Sequence, residues 1–231
     1  MNWKLDHIVQ VVRDLEAART AYRNAGFNVI PGGRHPNAGV ANELISLADG
    51  SYIELFSFVD LAQASPNHSS WAIFEAGGGL ASFWFGTQDV EADVAKLRAL
   101  GIDIEAPRSG SRVRPDGYEV KFRLAVPSKR DYPYLPALIE DVTPRSERVP
   151  AYAEHPNGVT GIDSLSILIP EMQLVRNHYA ALGFSVAAAN VRIGALTLEF
   201  AASTQSGTGL QSVHLATVSG GRRLLDNAGL R

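Results

Sequence analysis

The stretch from Trp3 to Phe58 decides the architecture. It opens on Leu5-Asp6-His7-Ile8-Val9-Gln10-Val11-Val12, whose period of two predicts a strand with Leu5, His7, Val9 and Val11 on one face. Asp14 stands where its carboxylate can accept from the first N–H groups of a helix. Leu15, Ala18, Tyr22 and Ala25 continue as one apolar stripe, and Gly26 closes the helix, since glycine takes positive φ at no steric cost. Phe27-Asn28-Val29-Ile30 reads as a second strand and Pro31 to Asn37 as a glycine-rich turn. Asn42 to Ala48 and Ser51 to Phe58 read as the third and fourth strands, turned by Asp49-Gly50. The order is β-α-β-β-β.

The unit recurs. Leu80 to Thr87, a helix opened by Asp89-Val90-Glu91, and Gly101-Ile102 repeat the strand, the cap and the closing glycine, at one constant offset from Asp14 and Gly26. Pro115-Asp116-Gly117 turns a long hairpin, and Leu135 to Val142 ends the second copy with Glu140 directly after an isoleucine, as Glu54 is. Ile162-Asp163-Ser164, the stripe Met172, Val175, Tyr179 and Leu182, and Leu196 to Phe200 make a third copy. A fourth begins at Gly209-Leu210, with Ser212 to Ala216 as a strand and a short helix expected after it, and is truncated. The expected organisation is 1–142 as paired modules (1–58 and 79–142), 143–161 as a linker, and 162–231 as the third module with the incomplete fourth. The fold class is α+β, built of repeated βαβββ modules.

Composition narrows the function. A formal net charge of −3 lacks the basic footprint of a nucleic-acid binder. No run approaches a membrane span, and Met1-Asn2-Trp3-Lys4-Leu5-Asp6 holds no apolar signal core, so a cytoplasmic protein with no membrane partner is expected. The absence of cysteine removes thiolate nucleophiles and zinc-thiolate sites, which leaves oxygen and imidazole as metal ligands. There is no phosphate loop, nucleophile elbow or dinucleotide fingerprint, and Gly77-Gly78-Gly79 precedes a strand rather than a helix.

Repeated βαβββ modules with His in the first strand and Glu in the fourth resemble the vicinal oxygen chelate superfamily. Leu5-Asp6-His7, Gly33-Arg34-His35-Pro36 and Tyr52-Ile53-Glu54-Leu55 are most similar to its glyoxalase-like domain branch. The resemblance implies paired curled mixed sheets that enclose a bowl, a small-molecule substrate with adjacent oxygens, and often a divalent metal drawn from both modules. Zinc, manganese, iron(II) or nickel would suit imidazole and carboxylate ligands. His7, Glu54 and Glu140 are the implied metal set, with Glu140 the alternative general base. His35 as a catalytic residue and Asn42 as a substrate contact would act from the loop they flank, Trp84 would stack on substrate, and His214 would join if its strand reaches the bowl. The pattern departs from the family at Ser82 and Ser164, which stand where His7 does. A homodimer that completes the bowls is implied by the resemblance as well.

Each residue also has a plainer reading: His7 satisfied by Glu54 in a core, Glu54 at a wet strand edge, Glu140 and Glu199 as inherited repeat positions, His35 in a plain turn, Trp84 in a core. His68 and His178 read as surface residues, His155 as structural, and Arg112, Arg114 and Arg123 as an exposed hairpin face. Two functions follow: a metal-dependent lyase, isomerase or dioxygenase, or a metal-free protein that sequesters a small molecule.

Overall fold

The computed structural model describes residues 3–127, 134–203, 208–227 and 229–230. The first module is β1 (Lys4–Val11), α1 (Leu15–Asn24), β2 (Ile30–His35), β3 (Val40–Ser46) and β4 (Tyr52–Phe58). A short helix, α2 (Trp71–Glu75), interrupts the excursion that follows. The second module is β5 (Gly79–Gly86), α3 (Val90–Ala99), β6 (Arg108–Val113), β7 (Glu119–Ala125) and β8 (Ala137–Asp141). Their strands close into a barrel in the order β1-β4-β3-β2-β6-β7-β8-β5. Local chemistry sets the helix starts: Asp14 accepts from the amides of Glu16 and Ala17, and Asp89 from that of Ala92.

Two seams join the modules. β1 runs antiparallel to β5 over its whole length, whereas β2 meets β6 at the pair Arg34–Val113. Here the sequence expectation needs correction. The second strand is Ile30–His35 rather than Phe27 to Ile30, so the glycines expected in a turn lie inside the barrel wall. Gly33, at φ 135°, is pressed against the Val113 carbonyl, which leaves no room for a Cβ at the seam.

The segment after the barrel holds a one-turn helix, α4 (Arg145–Arg148). The third module is β9 (Val159–Ile169), α5 (Met172–Ala181), β10 (Ser185–Ala187), β11 (Asn190–Ile193) and β12 (Leu196–Ala202). It continues through β13 (Gly209–Thr217), β14 (Arg222–Asp226) and β15 (Gly229–Leu230) into a seven-stranded sheet, β10-β11-β12-β9-β13-β14-β15. The short helix expected after Ala216 does not form: β13 turns back directly, and β14 pairs antiparallel with it, where β8 lies parallel to β5. The connection of residues 218–221 is too short for the crossover that a parallel return needs.

One apolar core joins barrel and sheet. It includes Ile8, Ile53, Phe83 and Phe85 of the barrel, Val94 and Leu97 of α3, and Leu165, Ile167, Val213 and Leu215 of the sheet. Trp3 bridges the two, its ring 5.8 Å from both Phe85 and Phe184. Asp49 ties the β3–β4 turn to β9 by accepting from the Ile162 amide at 2.8 Å. No helix among the described residues is long and apolar enough to cross a membrane.

Candidate functional site

With the apolar core outside the barrel wall, alternation sends the opposite faces of β1, β3, β4, β6, β7 and β8 inward. Opposed pairs carry the argument: His7 lies level with Tyr52, Val9 with Glu54, Asn42 with Phe56, and Arg112 with Val120. A register shift between Leu5 and His7 marks a β-bulge in β1. It buries Asp6 beside His7, where strict alternation would have turned it away.

The inward polar groups form a ring. The Asp6 carboxylate lies 2.7 Å from His7 Nδ1, and His7 Nε2 lies 3.4 Å from Glu54 Oε2. Asn42 Nδ2 donates to Glu54 Oε1 at 2.6 Å, and Arg112 Nη1 reaches Asn42 Oδ1 at 3.5 Å. Arg112 Nη2 donates to the Arg148 carbonyl at 2.6 Å, and Arg148 Nη1 and Nη2 return to Asp6 at 3.1 and 2.9 Å. The His7 ring is held between Tyr52 and Trp84, with centroids 4.6 and 5.3 Å away, nearly parallel to both.

Arg148 is the residue sequence reasoning missed. It comes from the segment read as a linker, is 3% exposed, and bonds Asp6, Asp141 and the Tyr52 hydroxyl. Burial alone would raise the Asp6 carboxyl, but the bond to His7 and the charge of Arg148 outweigh it and hold the group far below the usual range. Arg112, read as an exposed hairpin residue, is buried too, and burial pulls its guanidinium below the ordinary value. One signal in the sequence pointed to it: Arg108, Gly110 and Arg112 share a strand face with Phe122 and Leu124.

His35 and Asn42 lie in paired strands of the barrel wall, not in a loop. The β2–β6 seam pairs Arg34 with Val113, and the Arg112 charge acts on the His35 ring. Burial lowers the His35 pKa, and the Arg112 charge adds to that while Glu54 and the Ser111 backbone oppose it. The ring is therefore neutral near pH 7. Its Nε2, like Arg112 Nε, is buried and has no hydrogen-bond partner.

The other residues separate from this group. Glu140 follows an isoleucine as Glu54 does, yet in β8 it is Ile139 and Asp141 that oppose Leu124 and Phe122, which turns Glu140 outward. There its carboxylate accepts from the Val90 amide at 3.2 Å, at the start of α3. His7, Glu54 and Glu140 are thus not brought together. His214 is in the seven-stranded sheet, bonded to Ser164 at 3.0 Å, and its strand lines no part of the barrel interior. Trp84 is a wall of the His7 slot and donates to Ser82 at 3.1 Å. His155 bridges Asn28 and Ser46, a structural role as expected. His68, expected at the surface, stacks on Phe56 with centroids 5.3 Å apart.

A divalent ion is a poor match for these groups. Among the described residues no group of three or more His, Asp or Glu side chains is placed to hold one. His7 Nδ1 is committed to Asp6, Ser82 to Trp84, and the interior already holds the buried cations Arg112 and Arg148.

The neutral buried histidine makes a pH prediction. A histidine whose folded pKa lies below 6.5 binds fewer protons folded than unfolded, so its share of stability is present above pH 6.5 and is lost as pH falls below it. Melting temperature should fall between pH 6.5 and 5, and less steeply in His35→Asn. An unchanged slope in that variant would contradict the assignment.

A barrel of two βαβββ modules with a buried polar centre defines the vicinal oxygen chelate class, and comparison places the chain within it. Residues 5–183 match the model of the glyoxalase-like domain, and the chain belongs to that family. No curated protein matches it. A hypothetical protein from Staphylococcus aureus is similar in structure at 17% identity, with a TM-score of 0.76 over 94% of this chain and 92% of that one. A methylmalonyl-CoA epimerase from Streptomyces coelicolor, in complex with 2-nitronate-propionyl-CoA, shares 24% identity over 61% of this chain and 98% of its own, at a TM-score of 0.44. The corresponding epimerase from Mycobacterium tuberculosis shares 18% identity over 62% and 90%, at 0.47.

Proposed function

We propose that the barrel interior binds a small polar molecule without a metal ion. The observation that carries this reading is that two buried atoms, His35 Nε2 and Arg112 Nε, have no hydrogen-bond partner, on side chains that act on one another electrostatically. A buried polar atom left without a partner costs about 1–3 kcal/mol. A ligand that offers a donor beside an acceptor, as a hydroxy acid or hydroxy ketone does, recovers both costs. The aromatic groups Tyr52, Trp84, Phe56 and Phe122 supply apolar wall around it.

A second reading rests on the same interior. A neutral imidazole and the Glu54 carboxylate, coupled electrostatically, can exchange a proton with a carbon acid next to a carbonyl. Isomerase or lyase chemistry would then proceed through His35 and Glu54, with Arg112 offsetting negative charge on the enolate oxygen.

The test is a melting-temperature screen of small hydroxy acids and hydroxy ketones, with and without chelator, beside elemental analysis of untagged protein. The expected result is a hit whose stabilisation is unchanged by chelator and falls at least ~10-fold in affinity in His35→Phe, which removes the acceptor. Metal at near one per chain, lost in Glu54→Ala, would overturn the metal-free reading. Turnover of the hit, abolished in Glu54→Gln with binding retained, would select the catalytic one.

A further inference from the structure

At one end of the barrel the inward strand faces meet a second apolar cluster. Val9 and Val11 of β1, Val40 of β3, and Phe56 and Phe58 of β4 pack with Phe74 of α2. Ala64, Trp71 and Ile73 of the same excursion lie against them. Val11 and Phe58 end their strands and Val40 begins its own, so the excursion over 59–78 covers that end. Trp71 and Phe74 stand edge-on to Phe58 at 5.1 Å, and His68 stacks on Phe56. Beneath the cover Val9 is level with Glu54, and Trp84, a wall of the His7 slot, packs against the same cluster.

The cover is lightly held. Of residues 59–78 only Ser70 and Phe74 are buried. Its start is tied down by the Val59 and Asp60 amides, which both donate to the Gly39 carbonyl. Among the described residues, one hydrogen bond then joins 61–77 to the rest of the chain: Arg13 Nη1 donates to the Phe74 carbonyl at 3.1 Å. The same guanidinium lies over the Phe74 ring, 4.1 Å from its centroid. Arg13 is exposed, so water competes for both contacts. The segment leaves through Gly77, Gly78 and Gly79, at φ 108°, 104° and 149°, where only glycine turns freely. Few buried groups, an exposed latch and a run of glycines describe a segment that opens locally, without unfolding of the whole.

We infer that residues 61–76 form a lid over the barrel interior, latched by Arg13 on Phe74 and hinged at Gly77–Gly79, and that the ligand enters when the lid lifts. The inference rests on the proposed binding function and adds the route to the site. Closure buries aromatic groups of the lid on Phe56 and Phe58, and opening exposes both sides, so the open form is transient.

The chain has no cysteine, so a single introduced thiol reports opening by itself. Val40→Cys places it under the lid, and Val9→Cys places a second reporter level with Glu54. Ile45→Cys, on the same strand as Val40 but fully buried in the outer core, reports global unfolding. Each is labelled with dithiodipyridine, alone and combined with Arg13→Gln or Trp71→Ala. The expected result is labelling of Val40→Cys and Val9→Cys at least ~10-fold faster than of Ile45→Cys, with a further ~5-fold gain from either lid substitution that Ile45→Cys does not share. Equal labelling at all three positions, or an equal gain at all three, overturns the inference, because the segment then opens only when the whole chain unfolds. Rates unchanged by both lid substitutions overturn it as well, and a gain at Val40→Cys without one at Val9→Cys overturns the entry route. No ligand takes part, so a working lid beside a failed hydroxy-acid screen would count against the binding function alone.

Discussion

Arg148→Ala should destabilise the protein by about 3–5 kcal/mol, the cost of removing one partner from a buried ion pair. Asp6 and Asp141 would keep their carboxylates beside the barrel base without the guanidinium that now bonds both. The Tyr52 hydroxyl would lose its donor as well. Arg145 also reaches Asp6, but it is 38% exposed and screened, so it offsets little of this. Urea unfolding measures the loss, and melting should fall on the order of 10 °C. The decisive control is Arg148→Met with Asp6→Asn and Asp141→Asn, which removes charges together and should recover most of the stability. A loss below about 1 kcal/mol in Arg148→Ala would show that the ring is not a structural unit.

Gly33→Val should be nearly as damaging, for a different reason. At φ 135° a β-branched residue carries backbone strain of about 1–3 kcal/mol. Its Cβ would also collide with the Val113 carbonyl, backbone that cannot rotate away. Overpacking adds about 1–3 kcal/mol. The collision falls at the β2–β6 seam, so relief requires the barrel to open at the Arg34–Val113 pair. The expected result is a total loss of about 2–6 kcal/mol together with faster hydrogen exchange at the Arg34 and Val113 amides. Gly117→Val has positive φ but open space around its Cβ, and it should cost less. Equal costs at the two glycines would sink the seam argument.

The repeat was legible because it is written in local signals. Asp14 and Asp89 cap helices, Gly26, Gly101 and Gly183 end them at positive φ, and Asp49-Gly50 turns a hairpin, each through groups within a few residues. The faces of β4 were legible for the same reason, since Tyr52, Glu54, Phe56 and Phe58 alternate with Ile53 and Leu55 of the outer core. The strand in Pro31-Gly32-Gly33 was not, because Gly33 makes room for the Val113 carbonyl, eighty residues on, and Gly32 for the Asn42 side chain, rather than for a local turn.

The sequence by itself determined the module, its repetition and the candidates His7, Glu54, His35 and Asn42, because period, caps and turns are short-range physics. Only the tertiary structure decided which groups meet. Register, fixed by pairing between distant strands, turned Glu140 out and Asp141 in. A single bulge buried Asp6, and closure of the barrel brought in Arg112 and a linker arginine to balance it. Charges in a low-dielectric interior must be paired, and no local pattern states which partner will arrive.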